Sequence, residues 1–277
     1  TPGKGEIVFQ IGRCGICGSD VHGTGGHGMQ YPVGMIPGHE YAGEVVAIGA
    51  GVTNLRTGDR VSVMPLTGCG KCVACHSGTP QFCDQMGTNG GGFAEYAKAG
   101  ARDCILLPQS LTLEDGALVE PMAVGYHGVA ISGITPESKV LVLGAGPIGL
   151  AAVFWARQFK AAKIAVAATS MKRSEYAYNM GADIFLDPEK PLAEAVVEAL
   201  GGPPDIIFEC AGVVGAIDQS IQLVRRRGTI VVLGICTVPD TFFPVPAVYN
   251  EIKLQFAITY SLSEFETVAR TFDAGHV

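Results

Sequence analysis

The sequence predicts an α/β protein: a small β-rich, barrel-like part first, then a doubly wound parallel sheet. The parallel sheet is predicted from Lys139–Leu150, where a short apolar run, Val140 to Leu143, breaks into Gly144-Ala-Gly146-Pro147-Ile148-Gly149 and then into an apolar helical segment reaching about Phe159. The alternation of strand and helix that continues from there to Thr259 supports the same prediction. The β-rich part is predicted from Tyr41–Val63, where short apolar stretches are separated by turns at Gly49-Ala50-Gly51 and Thr57-Gly58-Asp59.

With 277 residues the chain has room for one large or two ordinary domains. Hydrophobic residues make up 48% and charged ones only 16%, which excludes a disordered polyelectrolyte and favours a compact core. A net charge of −7 argues against a nucleic-acid surface. The longest basic run, Arg225–Arg227, reads as a solvated helix end before Gly228. No apolar stretch approaches the ~18 residues that cross a bilayer, and no signal peptide is visible. Nine cysteines in such a chain point to metal binding before disulfides, and to a reducing, cytoplasmic setting. The chain opens Thr1-Pro2-Gly3 without a methionine, and the expectation is that its ends are shortened.

In order, Glu6–Ile11 reads as a strand leading into a glycine-broken loop, Cys14-Gly15-Ile16-Cys17-Gly18-Ser19-Asp20-Val21-His22. Thiolate and imidazole are zinc ligands, and Ser19 with His22 could pass a proton between a bound alcohol and water. The alternative is a surface loop with one buried cysteine. Gly38-His39-Glu40 forms a turn whose adjacent side chains can both reach one metal, although a lone His-Glu pair is usually just a polar turn. Cys69, Cys72, Cys75 and Cys83 follow the spacing C-x2-C-x2-C-x7-C. Four thiolates close a tetrahedral zinc site at about 2.3 Å per bond and leave no open position, so this reads as a structural site. His76 between them reads as a surface residue. Strands are expected after Gly90–Gly92 and at Arg102–Pro108, then a helix from Leu113 through Tyr126 and His127, in which His127 packs. Glu120, ahead of Pro121 in apolar surroundings, needs a partner if buried, and a metal is one candidate.

Strand, G-x-G-x-x-G and helix together make the context of a dinucleotide-binding turn. Gly144 permits the tight turn, Gly146 lets a pyrophosphate approach, and Gly149 allows close packing of helix on strand; Pro147 and Ile148 open the helix, whose N-terminus faces the phosphates. A Gly-rich turn without ligand is the alternative. The second parallel strand, Ile164–Ala168, ends where an acidic residue would bind a ribose 2′-OH, yet Ala168 stands there and no carboxylate follows before Glu175. Ser170, Lys172 and Arg173 suit a 2′-phosphate, which predicts NADP over NAD, unless these cations only face water. Helices at Ser174–Met180, Leu192–Leu200 and Val214–Arg225 alternate with strands at Ile184–Leu186, Asp205–Cys210, Thr229–Leu233 and Leu254–Thr259. A helix over Phe265–Phe272 closes the series. Cys210 and Cys236 read as small apolar fillers.

These motifs in this order resemble the zinc-dependent medium-chain alcohol dehydrogenases, in particular the sorbitol and butanediol dehydrogenase branch. The resemblance is carried by Cys14–His22, Gly38-His39-Glu40, the four-cysteine lobe, Leu118-Val119-Glu120-Pro121 and the glycine turn. It implies a GroES-like catalytic domain over 1–125, its structural-zinc lobe at 69–83, and a Rossmann domain over 126–256. Residues 257–277 would then start a truncated return to the catalytic domain. It further implies Cys17, His39 and Glu40 as catalytic zinc ligands, with Glu120 as a fourth carboxylate binding the metal or its water. Ser19 would take the alcohol proton and His22 relay it. The expected enzyme is a zinc-dependent NAD(P) oxidoreductase of a secondary alcohol, diol or polyol and its ketone, forming homodimers or homotetramers.

Two departures are visible. Ala168 replaces the acid expected for NAD, and Thr259-Tyr260 stands where sorbitol dehydrogenases carry an arginine before the tyrosine, which speaks against a polyol. Three rival readings remain: a dehydrogenase of amino alcohols such as threonine, a nucleotide-binding relative without turnover, and a zinc-ribbon interaction module, the last opposed by the acidic charge and the dinucleotide turn. Loops such as Gly23–Met35 are expected to shape the pocket.

Overall fold

The computed structural model describes residues 1–25 and 30–275; residues 26–29 of the expected pocket loop lie outside it. The chain divides into two compact units, Thr1–Ala123 with Thr259–Val277, and Val124–Ile258.

The first unit begins with strand β1 (Glu6–Cys14) and helix α1 (Gly18–Gly25), then β2 (Tyr41–Ile48) and β3 (Arg60–Val63). A two-stranded ribbon, β4 (Leu66–Thr67) with β5 (Gly87–Thr88), flanks the short helix α2 (Val73–His76). Strands β6 (Tyr96–Gly100) and β7 (Cys104–Leu106) complete an antiparallel sheet of order β6-β1-β2-β3-β7. Alternation along β1 buries Ile7 and Phe9, and Phe9 stacks on Tyr41 of β2 with ring centroids 5.5 Å apart. Val45, Val61, Val63, Ala97 and Ala99 close this core. The β1–β2 register slips between Ile11 and Arg13, a bulge that re-aims the strand end and pairs Cys14 with Tyr41.

Helix α3 (Leu113–Ala130) contains the division between the units. The second unit alternates β8 (Lys139–Leu143), α4 (Pro147–Gln158), β9 (Lys163–Ala167), α5 (Ser174–Asn179), β10 (Ile184–Phe185), α6 (Leu192–Leu200), β11 (Ile206–Glu209), α7 (Ala216–Leu223), β12 (Thr229–Val232), α8 (Val245–Tyr249) and β13 (Lys253–Phe256). Its six strands are parallel in the order β10-β9-β8-β11-β12-β13, so the order reverses between β8 and β11. Helices cover the sheet, which explains why the central strands read as unbroken apolar runs; Val140, Leu141 and Val142 are fully buried. The chain then returns to the first unit through α9 (Leu262–Asp273).

Several elements differ from the sequence expectation. The glycine-broken loop after Cys17 is a helix, α1, entered through Asp20, whose Oδ2 accepts from Cys17 N at 3.0 Å. Helix α9 starts at Leu262 because Ser261 and Glu264 form a capping box. Helix α7 stops at Leu223, so Arg225–Arg227 is a turn, not a helix end. There Arg225 pairs with Asp205 and Arg227 with Glu251. Helix α8 was not among the expected elements; its two prolines, Pro244 at the N-cap and Pro246 in the first turn, sit where prolines are tolerated. Cys210 and Cys236 are half-buried, and among the described residues neither belongs to a group that could hold a metal. No helix among the described residues is long and apolar enough to cross a membrane.

Candidate active site and metal centres

Among the described residues, two groups of side chains could hold a metal ion. In the first, one donor atom each from Cys17, His39 and Glu40 lies within 4.8 Å of the others. Cys17 comes from the entry to α1, and His39 and Glu40 from the turn before β2. The turn is drawn in by Gly15 N, which donates to Glu40 O at 2.7 Å. A Cβ at residue 15 would lie 2.2 Å from Glu40 Oε2, so any larger residue there would have to displace that carboxylate.

Asp20, 3% exposed, organises the donors. Beyond its bond to Cys17 N, its Oδ1 accepts from the Tyr31 hydroxyl at 2.9 Å and from Gly38 N at 3.4 Å. The same oxygen stands 3.6 Å from His39 Nδ1. A carboxylate at one ring nitrogen is how an imidazole is oriented to offer the other to a metal. Burial raises the pKa of both Cys17 and Glu40. A sulfur, an imidazole nitrogen and a carboxylate oxygen converging in this way fit zinc, whose charge would offset these buried acids.

Glu120 lies outside that trio. It is buried on α3, and its Oε1 accepts from the Tyr260 hydroxyl at 2.9 Å. Burial lifts its pKa to about 7, against the opposing pull of His39 and with a further rise from Glu40. Tyr260 is itself fully buried and stacks on Phe265 of α9 at 5.2 Å. Ser19 is half-buried on α1, within hydrogen-bonding reach of the Cys17 sulfur and the Tyr31 hydroxyl. His22, one turn further along, is exposed.

The second group is Cys69, Cys72, Cys75 and Cys83, whose sulfurs also lie within 4.8 Å of one another. Cys69 Sγ and Cys75 Sγ are 4.0 Å apart, close to the edge of about 3.8 Å that tetrahedral zinc with 2.3 Å bonds requires. Backbone amides turn toward the sulfurs: Cys69 N and Gln85 N donate to Cys83 Sγ at 3.4 and 3.3 Å. The Lys71 amide, chiefly, holds Cys69 down to about 6. These donors fit a closed zinc site. His76 is exposed beside them.

In the second unit, the glycine turn follows β8 and opens α4, with Gly146 as the N-cap and Pro147 and Ile148 in the first helical turn. Gly144 has φ +99°, and a Cβ on Gly149 would fall 1.8 Å from Gly144 O, so that helix, turn and strand pack backbone to backbone. β9 ends at Ala167, and Ala168, Ser170 and Lys172 lie just beyond it, the last two exposed. Arg173 reaches back over the turn, its Nη1 donating to Ala145 O at 3.1 Å.

Residues 3–109 match the alcohol dehydrogenase GroES-like domain and residues 147–274 match zinc-binding dehydrogenase. The chain is 37% identical over 274 residues to sorbitol dehydrogenase of Gallus gallus, covering 94% of this chain and 76% of that protein. The chain belongs to the zinc-dependent alcohol dehydrogenase family. Two solved structures support the same placement. One is 2R,3R-butanediol dehydrogenase from Bacillus subtilis (32% identity, TM-score 0.86, 99% of this chain and 83% of that one). The other, from Sinorhizobium meliloti, is described as a zinc-binding dehydrogenase bound to NADP (30% identity, TM-score 0.91, 100% and 83%). The family makes the chain an oxidoreductase that uses zinc and a nicotinamide cofactor, with a GroES-like and a Rossmann-type fold. Asp20 and Tyr260 carry no assigned role from the sequence, because Tyr31, which donates to Asp20, and Glu120, which accepts from Tyr260, lie 11 and 140 residues away in the chain.

Proposed function

We propose that the chain oxidises a secondary alcohol, diol or polyol to its ketone, or runs the reverse reduction, at a zinc held by Cys17, His39 and Glu40. The observation that carries this is the convergence of those three donors beside the buried Glu120. The names of the relatives, sorbitol dehydrogenase and butanediol dehydrogenase, support a polyhydroxylated or vicinal-diol substrate. When bound, zinc supplies Lewis acidity toward the alcohol oxygen and the nicotinamide supplies the hydride acceptor. The chain's own residues do the rest. Ser19 takes the hydroxyl proton and His22, exposed one turn away, passes it to water. Glu120, kept in place by Tyr260, is the further carboxylate that binds the metal or its water. Cys69, Cys72, Cys75 and Cys83 hold a structural zinc.

For the dinucleotide, Gly144, Gly146, Pro147, Ile148 and Gly149 form the pyrophosphate turn. Ser170 and Lys172, with no carboxylate at Ala168, favour NADP over NAD; Arg173 contributes from its seat on Ala145 O. A homodimer or homotetramer is proposed through β13, an edge strand whose Phe256 is exposed, as are Val248 and Tyr249 of the preceding helix α8. A reducing, cytoplasmic setting suits the free thiols.

The test is reduction of NAD⁺ and NADP⁺ with a panel of diols, polyols, secondary alcohols and threonine, before and after chelation. Chelator-sensitive turnover favouring NADP⁺ supports the whole reading. Preference for NAD⁺ removes the cofactor assignment alone, and turnover insensitive to zinc removal overturns the mechanism.

A further inference from the structure

The carboxyl edge of the parallel sheet holds a buried acid that the reading above leaves without a role. Glu209 is the last residue of β11 and is 1% exposed. Its Oε1 accepts from Ala211 N at 2.7 Å and from Gly212 N at 2.9 Å. Those two amides begin the turn between β11 and α7, so the acid grips the turn that follows its own strand.

Three turns meet around this grip. Gly144, first glycine of the turn after β8, would place a Cβ 2.9 Å from Ala211 N. Gly234, past the end of β12, would place one 2.3 Å from Gly212 N and 2.7 Å from Glu209 Oε2. The turns after β8, β11 and β12 therefore touch backbone to backbone, and the Glu209 side chain holds the middle one. β8 and β11 are also the strands between which the order reverses, the place where a doubly wound sheet takes a dinucleotide. If residues 211 and 212 shifted, they would push directly on Gly144 or Gly234.

We infer that Glu209 is a positioning residue of the dinucleotide site, setting the spacing of three turns through its two amide contacts. This rests on the proposed reading of the chain as a nicotinamide dehydrogenase. It assigns Glu209 no contact with the ligand and no part in hydride or proton transfer.

The test titrates the whole chain with NADPH and NADH, following nicotinamide fluorescence, for wild type, Glu209→Leu, Glu209→Gln and Gly234→Ala. Both the dissociation constant and the number of sites are read. Partial unfolding lowers the number of sites, whereas a displaced turn weakens every site that remains. Glu209→Leu is expected to weaken binding about tenfold or more with the site number kept, as loss of charged hydrogen bonds implies. Glu209→Gln keeps an acceptor oxygen for the two amides and is expected to stay within about threefold. In steady state the KM for dinucleotide rises in the Leu variant and the KM for alcohol does not. Should Glu209→Leu fail to fold, Gly234→Ala, which retains the acid and presses on Gly212, carries the same tenfold expectation. A Leu variant (or, in its place, the Ala variant) binding within about twofold of wild type overturns the inference, as does a Gln variant as weak as Leu. Wild type that binds neither nucleotide overturns the dehydrogenase reading itself, and the inference with it.

Discussion

The two candidate metal centres sit in the same unit and are built in opposite ways. The four-cysteine lobe takes all its donors from one stretch, Cys69–Cys83, and meets its sulfurs with backbone amides within it or two residues beyond it, those of Cys69 and Gln85. The other centre takes Cys17 from the start of α1 and His39 and Glu40 from the turn before β2. Their supports, Asp20, Tyr31, Glu120 and Tyr260, are spread across the unit. A closed local site stabilises the chain near it, while an assembled site with three donors leaves a position open for chemistry. The lobe's spacing pointed to a metal by itself, whereas His39-Glu40 drew its meaning from distant motifs, Cys17 upstream and Glu120 downstream, and from the family resemblance they carry together.

The largest expected effect separates the two centres by function. His39→Ala should lower turnover by about a thousandfold, since several kcal/mol of Lewis-acid stabilisation go with the metal. Atomic emission on the purified variant should find the lobe's zinc retained and the other lost. A variant that keeps both metals and most of its activity would break the comparison.

Cys72→Ser tests the opposite side. Loss of the lobe's zinc should lower the melting temperature by about 5 °C or more, while turnover per folded chain changes no more than about threefold. Calorimetry and active-site titration check this together. A collapse of turnover as deep as that of His39→Ala would mean the lobe belongs to the catalytic machinery.

Much of the architecture was legible because its signals are local. The apolar run at Val140–Leu143, the glycines after it and the β–α alternation each announce themselves within a few residues. Helix α1 was missed because its glycines, Gly18, Gly23 and Gly25, lower helix propensity; the buried Asp20 and its tertiary bonds override that cost. Tyr260 could not be placed as the partner of Glu120, because only the return of the chain to the first unit brings them together. Arg173 reads, with Ser170 and Lys172, as suited to a 2′-phosphate, and its hydrogen bond to Ala145 O was not legible because the two residues lie 28 apart in the chain.

Asp20 offers a finer test of the assembled centre. Asp20→Asn keeps the size of the side chain while weakening its hold on the His39 ring and on Cys17 N. Zinc affinity at the assembled centre should fall about 10- to 100-fold, the usual cost of losing a carboxylate behind a metal-bound histidine. Competition with a chromogenic chelator would register two release phases, the faster one accelerated and the lobe's unchanged. Equal acceleration of both phases would show general loosening instead.

The smallest effect concerns two buried carboxylates that repeat the contrast between local and assembled support. Glu120 is held by Tyr260, 140 residues away, and Glu209 by amides two and three residues on. Burial raises the pKa of Glu209 in the fold, with the Gly212 and Ala211 amides pulling the other way. A carboxyl whose folded pKa lies above its unfolded value contributes fully below the unfolded value, and that contribution is lost as pH rises through the folded one. Wild-type stability should therefore decline as pH climbs above the ordinary carboxylate range, by an amount Glu209→Gln does not share. The urea midpoint of the variant relative to wild type should move in the variant's favour as pH rises above the ordinary carboxylate range. A difference that stays constant over that rise would mean that the two amides fully offset burial, leaving Glu209 as comfortable charged in the fold as in water.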